Sequence, residues 1–356
     1  MPTQTIKVEH LLEEVLKQDA SDLHLSVGVP PVLRVDGRLV PLSEYGQLTA
    51  EQTEDIVFQV VDDNQKEIFI RDKEVDFSFA FGDVARFRAN AYHQRGNAGL
   101  ALRLIPTKIR SIEDLGLPKV CFELAKIPRG LVLFTGPTGS GKSTSLAAMI
   151  NYINTEKACH IITVEDPIEY NHVNKKSILE QREVHYDTRS FAAALRSVLR
   201  EDPDVVLVGE MRDLETIAAA ITIAETGHLV LATLHTNSAA QSVDRIVDVF
   251  PPHQQQQVRV QLAGMLQGII SQRLVPAIGG GRVAIAEVMI ATAAVRNIIR
   301  EGKTHQLEGV IQTGTEHGMI TMDSALANFV KAGKITLDEA KSYSIDIQQL
   351  ERYIRG

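Results

Sequence analysis

Three short stretches of this chain carry residue types at spacings that suit phosphate chemistry. In GPTGSGKST, Gly136 and Gly141 precede Lys142 and Ser143 in P-loop spacing, directly after the apolar LVLFT and before a helix-like run. Glycines let backbone N–H groups converge on phosphate oxygens where a side chain would obstruct them. The expected assignment is a cradle of Gly136, Pro137, Thr138, Gly139, Ser140 and Gly141, with Lys142 on the β- and γ-phosphates of ATP, Ser143 on Mg²⁺ and Thr144 beside them. By residue frequencies alone the four fixed positions recur in roughly one chain in a hundred of this length. The strand before and the helix after make accident rarer still.

The other two stretches are apolar strands that end in carboxylates. HIITV leads to Glu165 and Asp166, and VVLVG leads to Glu210. In a parallel sheet the carboxyl ends of these strands gather beside the P-loop. One acid then orients or deprotonates the attacking water, while the other holds Mg²⁺ through water. The bland alternative for each is the N-cap of a following helix. Pro167 has no N–H and biases Asp166 toward extended backbone, so the first strand should stop at its acids. His235 follows HLVLATL at the strand's end, where it is placed to sense or stabilise the γ-phosphate, as are Thr236 and Asn237; its alternative is a satisfied strand histidine.

These residues need a scaffold, and the pattern supplies one. From Gly130 the strands LVLFT, HIITV, VVLVG and HLVLATL alternate with helix-like stretches, the βα alternation of a mostly parallel, doubly wound sheet. Upstream, residues 6–18 read as a helix with Leu11, Leu12, Val15 and Leu16 on one side. VLRVDGRLV reads as a hairpin about Asp36-Gly37. ARFRANAYHQRGNAGLALRLI places Arg86, Arg88, Arg95 and Arg103 on strands or their connections. The expected domains are a small α+β domain over 1–105, a connector over 106–130 marked by three prolines, an α/β core over 131–291 and a helical C-terminal subdomain over 292–356.

Composition narrows the function classes. A net charge of -8, no Trp, 5% aromatic residues and no Lys/Arg-rich run argue against a strand-binding nucleic-acid channel. Cys121 and Cys159 are the only cysteines, which excludes a disulfide framework and a tetracysteine zinc site and suits a reducing, cytoplasmic compartment. MPTQTIKVEH has no basic-then-apolar signal. The longest uncharged apolar runs, such as Ile217 to Ala224, fall far short of the ~18 residues of a membrane span, so membrane contact is expected only through a partner.

Beside the P-loop stand SDLHLSVGVPPVLRVDGRL, ITVEDPIEY, DPDVVLVGEMRD, AETGHLVLATLHTN and AVRNIIRE. Six segments in this order resemble the type II/IV secretion ATPases, and within them the retraction ATPases of type IV pili, over nearly the whole chain. The resemblance implies a RecA-like P-loop NTPase core, a PAS-like N-terminal domain, and a homohexameric ring whose two domains move as ATP turns over. It also implies an inner-membrane pilus platform protein as partner. It makes Glu165 the general base and Glu210 the organiser of Mg²⁺ and water. It sets Arg88 and Arg103 to project charge onto nucleotide phosphates, a role that suits arginine's fixed fork; without it, strand arginines read as a surface charge ladder.

The resemblance favours retraction over pilus assembly or type II secretion. The sequence carries neither the long N-terminal region nor the tetracysteine element usual in assembly motors, and AVRNIIRE (Ala294 to Glu301) is similar to a retraction-associated segment. By itself that stretch is an amphipathic helix with Arg296 and Arg300 four residues apart. The rival readings are an assembly or secretion ATPase of the same family, a RecA-like nucleic-acid motor, and a nucleotide-gated scaffold.

Overall fold

The structure is a computed structural model that describes residues 6–35, 37–82, 84–105 and 109–355. The chain forms two compact units, residues 1–108 with 169–171, and residues 109–168 with 172–356.

The first unit is built on a six-stranded antiparallel sheet. Its strands are β1 (Asp22–Leu25), β2 (Val32–Val35), β3 (Arg38–Pro41), β4 (Glu74–Phe81), β5 (Ala85–Gln94) and β6 (Asn97–Ile105), in the order β3-β2-β1-β6-β5-β4. Along β5, Ala85, Phe87, Ala89 and Ala91 are buried while Arg88 is exposed, the period-two alternation of a sheet with one covered face. The amphipathic helix Val8–Lys17 buries Val8, Leu11, Leu12 and Val15, with Leu16 packed at the margin. Helices Ala50–Val60 and Asp63–Asp72 begin at capping boxes, Thr49 with Gln52 and Asp62 with Gln65. Strands β2 and β3 pair as the DG dipeptide predicts, although Asp36 itself lies outside the described residues. The β5–β6 hairpin turns through Arg95 and Gly96, both left-handed.

The second unit holds a seven-stranded sheet in the order β13-β12-β7-β11-β10-β8-β9. The strands are β7 (Gly130–Thr135), β8 (His160–Glu165), β9 (Ile178–Glu183), β10 (Val205–Val208), β11 (Leu229–Leu234), β12 (Leu266–Pro276) and β13 (Arg282–Ile290). All neighbours are parallel except β12 and β13. Strands β7, β10 and β11 are buried along their whole length, which is why their sequences are unbroken apolar runs. Alternate residues feed two cores. Leu131, Leu133, Val206, Val208 and Val230 face one, while Val132, Phe134, Leu207 and Leu231 face the other, with helix Lys142–Glu156.

Two further stretches join the packing of the second unit. Residues 109–130 belong to the second unit, where Ile112, Leu117, Cys121, Leu124 and Ala125 enter the core. The prolines break any sustained period there, but these apolar side chains still find a buried face; residues 106–108 lie outside the described residues. The C-terminal helices are continuous with the same unit. Met322, Leu326 and Leu350 pack on Val275 and Ile285 of the β12–β13 hairpin. Among the described residues no helix is long and apolar enough to cross a membrane.

Candidate active site

Strand β7 delivers the chain into the loop Gly136 to Gly141, and helix Lys142–Glu156 leaves it. Gly136 has a φ of 144°, and a Cβ there would stand 2.4 Å from the Gln272 carbonyl oxygen and 2.6 Å from Ser140 Oγ. No other residue fits that position. Gln272, on β12, braces the loop from outside it: its Nε2 donates to the Ser140 carbonyl (2.7 Å) and its Oε1 accepts from Ser145 Oγ (2.8 Å). Lys142 is buried, and its Nζ donates to the carbonyls of Gly136 (2.8 Å) and Pro137 (3.1 Å), so the ammonium is held against the loop. Ser143 opens the helix beside it, where N–H groups and the helix dipole favour an anion.

Strands β8 and β10 are direct neighbours, with Val164 opposite Val208. The Gly209 N–H donates to the Val164 carbonyl (2.8 Å). A Cβ on Gly209 would lie 3.1 Å from that oxygen and 3.2 Å from Glu165 Cα. Glycine thus lets β10 close on β8, and Glu165 and Glu210 emerge from adjacent strand ends. Neither acid caps a helix. Strand β9 is the next regular element after Glu165, and helix Leu214–Glu225 is capped by Asp213, which accepts from the Thr216 N–H at 2.8 Å. The Asp166–Pro167 peptide is cis, and β8 ends at Glu165.

The two carboxylates have different company. Glu165 Oε1 accepts from Thr163 Oγ1 (2.6 Å) and Gln181 Nε2 (3.2 Å). Glu210 Oε1 accepts from Arg212 Nε and stands 2.9 Å from His235 Nε2. Burial would raise the Glu210 carboxyl, but the Arg212 hydrogen bond and the His235 and Arg212 charges outweigh it and hold it below the ordinary carboxylate range. His235 is therefore tied to the second acid at the strand end. Thr236 and Asn237 serve the turn that follows: Thr236 Oγ1 bonds Ser242 Oγ (2.6 Å), and Asn237 Oδ1 accepts from Arg273 Nη1 (2.9 Å). Gln181, Gln272 and Arg212 are neighbours of the site to which the sequence assigns no role; of them only Arg212 lies within one of the family-like segments, DPDVVLVGEMRD.

Arg88 and Arg103 sit in the first unit, opposite each other on β5 and β6. Asp22 is opposite Arg103, and Arg34 opposite Asp22, so four charged residues run across consecutive strands. Asp22 Oδ1 accepts from Arg103 Nε (2.8 Å), and Arg34 Nε is 3.7 Å from Asp22 Oδ2. The row is a charge ladder with more arginine than acid.

Arg296, read as one of two charges on an amphipathic helix, faces inward. It donates to the carbonyls of Ala291, Ala263 and Gly264, clamping the end of helix Pro252–Met265, because carbonyls left open at a helix C-terminus attract a cation. Ala294, Asn297 and Arg300 form the exposed side of AVRNIIRE.

His172, on the loop after the Asp166–Pro167 turn, carries a pH response. Its Nδ1 is buried with no hydrogen-bond partner, and burial, with a smaller repulsion from Lys175, pushes the ring from 6.5 down to about 4. The unfolded chain takes up a proton as pH falls through 6.5, whereas the folded chain resists until near 4. Stability should therefore decline across that window by as much as about 3 kcal/mol. Urea unfolding at stepped pH should show this decline, and His172→Gln should flatten it.

A cavity of about 660 Å³ adjoins the P-loop, lined by Gly141, Thr144, Arg110, Phe329 and Lys334 among others. A second, of about 550 Å³, is lined by Asp166, Glu210, Arg212 and Asp213.

The chain is similar to several known proteins over most of its length. The chain is 52% identical over 338 residues to the type IV pilus retraction ATPase PilT of Pseudomonas aeruginosa, covering 94% of this chain and 97% of that protein. It is 52% identical over 314 residues to a twitching motility protein of Neisseria gonorrhoeae, covering 87% and 83% respectively. A crystal structure of the pilus retraction motor PilT with bound ADP shares its fold with a TM-score of 0.92 at 50% identity, covering 98% of this chain and 99% of that one. Residues 3–280 match the family model described as type II/IV secretion system protein. With that match over most of its length, the chain belongs to the type II/IV secretion system protein family.

Proposed function

We propose that this chain is an ATPase motor that couples ATP hydrolysis to type IV pilus retraction. The observation that carries the reading is the meeting, on one mostly parallel sheet, of a braced P-loop and two carboxylates on adjacent strand ends. In this reading Glu165 deprotonates or orients the attacking water, and Glu210, linked to His235, organises the metal. The donor set suits magnesium. Ser143 and Glu210 offer hard oxygens, and among the described residues no cluster of three or more His, Cys, Asp or Glu is arranged to hold an ion alone. A metal here would take its remaining ligands from phosphate and water, and would neutralise charge on the transferring phosphoryl group. The cavity beside Gly141 and Thr144 is of a size for the nucleoside. In this reading Arg88 and Arg103 are the arginines that project charge onto nucleotide phosphates, as the family resemblance implies.

The working form in this reading is a cytoplasmic homohexamer engaged with an inner-membrane platform protein. Kinship with retraction ATPases and a twitching motility protein favours retraction over assembly. The test is complementation. Expressed in a type IV piliated strain that lacks its own retraction ATPase, this chain should restore twitching, and Lys142→Ala should not. Restored pilus formation in a strain lacking the assembly ATPase instead would contradict the direction assigned. Purified protein should release phosphate from Mg-ATP without stimulation by single-stranded DNA; steep, salt-sensitive stimulation would support a nucleic-acid motor.

A further inference from the structure

Glu165 does not stand alone at the end of β8. Gln181 lies on β9 opposite Thr163, two residues before the acid and therefore on the same face of the sheet. Its side chain bonds in opposite senses to two groups of this site: Oε1 accepts from the His172 N–H (2.8 Å), and Nε2 donates to Glu165 Oε1 (3.2 Å). A backbone N–H can only donate, so the amide oxygen must face His172 and the amino group must face the carboxylate. Thr163, 1% exposed, adds a second donor to the same carboxylate oxygen at 2.6 Å.

From this geometry we propose that Gln181, with Thr163, is a positioning residue for hydrolysis: it fixes the plane of the Glu165 carboxylate. The inference rests on Glu165 being the general base. Two donors on one oxygen oppose rotation of the carboxylate. They also favour the charged form over the protonated one. A base must present an oxygen to water at a set angle, and the two donors held on Oε1 set that angle. Gln181 need touch neither water nor nucleotide. Its backbone bond to His172 fixes the amide in turn, so the loop that returns after the Asp166–Pro167 turn sets the orientation of the base.

The experiment compares Gln181→Leu, Gln181→Glu and Thr163→Val with the parent chain in steady-state phosphate release from Mg-ATP across pH. Loss of one charge-assisted hydrogen bond should lower kcat about tenfold in Gln181→Leu, with KM for ATP within about twofold of the parent. Gln181→Glu keeps an acceptor for His172 but sets a like charge against Glu165, so the acidic limb of its kcat profile should move to higher pH. Thr163→Val, which leaves β9 untouched, should move that limb the same way and answers for any variant that folds poorly. The same changes are then made in a Glu165→Gln background and read by single-turnover kinetics. There Gln181→Leu should cost nothing further. An unchanged kcat and acidic limb in both Gln181 variants and in Thr163→Val would overturn the inference, as would equal losses with and without Glu165. Near-parent turnover in Glu165→Gln would instead overturn the base assignment itself.

Discussion

Glu165→Gln should bind Mg-ATP like the parent chain and lose roughly two to four orders of magnitude in phosphate release, the range a positioned general base contributes. Glutamine is the informative replacement because of what surrounds the acid. Thr163 Oγ1 and Gln181 Nε2 both donate to Oε1. An amide oxygen in that place still accepts from both, so the sheet end keeps its hydrogen bonds and only the proton acceptor is lost. Alanine would strand two donors in a largely buried setting and confuse a chemical loss with a structural one. Unfolding temperatures of the parent and Glu165→Gln should agree closely, and a nucleotide titration should give similar affinities. A large shift in either would mean that the carboxylate holds the fold rather than doing the chemistry.

Lys142→Ala should fail earlier, at binding. The ammonium lies against the loop on the carbonyls of Gly136 and Pro137, at 2.8 and 3.1 Å. A triphosphate would exchange these neutral acceptors for anionic oxygens, a stronger bond. Removing it should weaken ATP binding by about ten- to a hundredfold and abolish motor function in the cell. The loop should survive the change, since Gln272 and Ser145 brace it independently of the lysine. Titration with a fluorescent ATP analogue checks the affinity, and a thermal melt without nucleotide checks that the fold is intact. Parent-like affinity would remove Lys142 from the phosphate site.

What the sequence made legible is what is written locally. The P-loop is a contiguous run with its strand and helix on either side. The two acids could be placed together because parallel strands share a direction, so each apolar run delivers its last residue to the same edge. The supporting residues are a different matter. Gln272 meets Ser140 and Ser145 from β12, more than a hundred residues away, and its identity in a strand signals nothing. Gln181 meets Glu165 only through the register of β8 with β9. Asp22 meets Arg103 across β1 and β6. Such contacts follow from strand order, which a single chain does not spell out.

Two stretches have packing that their local pattern does not spell out. The segment 109–130 lacks a period because prolines interrupt it, yet Ile112, Leu117 and Leu124 are core residues. Arg296 and Arg300 share helical spacing, but Arg296 turns inward because the end of a neighbouring helix offers it carbonyls.

In the proposed mechanism the acid-tipped strands form one hydrolytic site with divided work, Glu165 for the water and Glu210 for the metal. The most direct measurement is the Mg²⁺ dependence of phosphate release at fixed ATP, taken on the parent chain, Glu165→Gln and Glu210→Gln together. Glu165→Gln should keep the parent's half-saturating Mg²⁺ at a far lower plateau, whereas Glu210→Gln should require markedly more Mg²⁺. A shift in the Mg²⁺ requirement of Glu165→Gln with none in Glu210→Gln would reverse the assignment, and near-parent turnover in Glu165→Gln would contradict it outright.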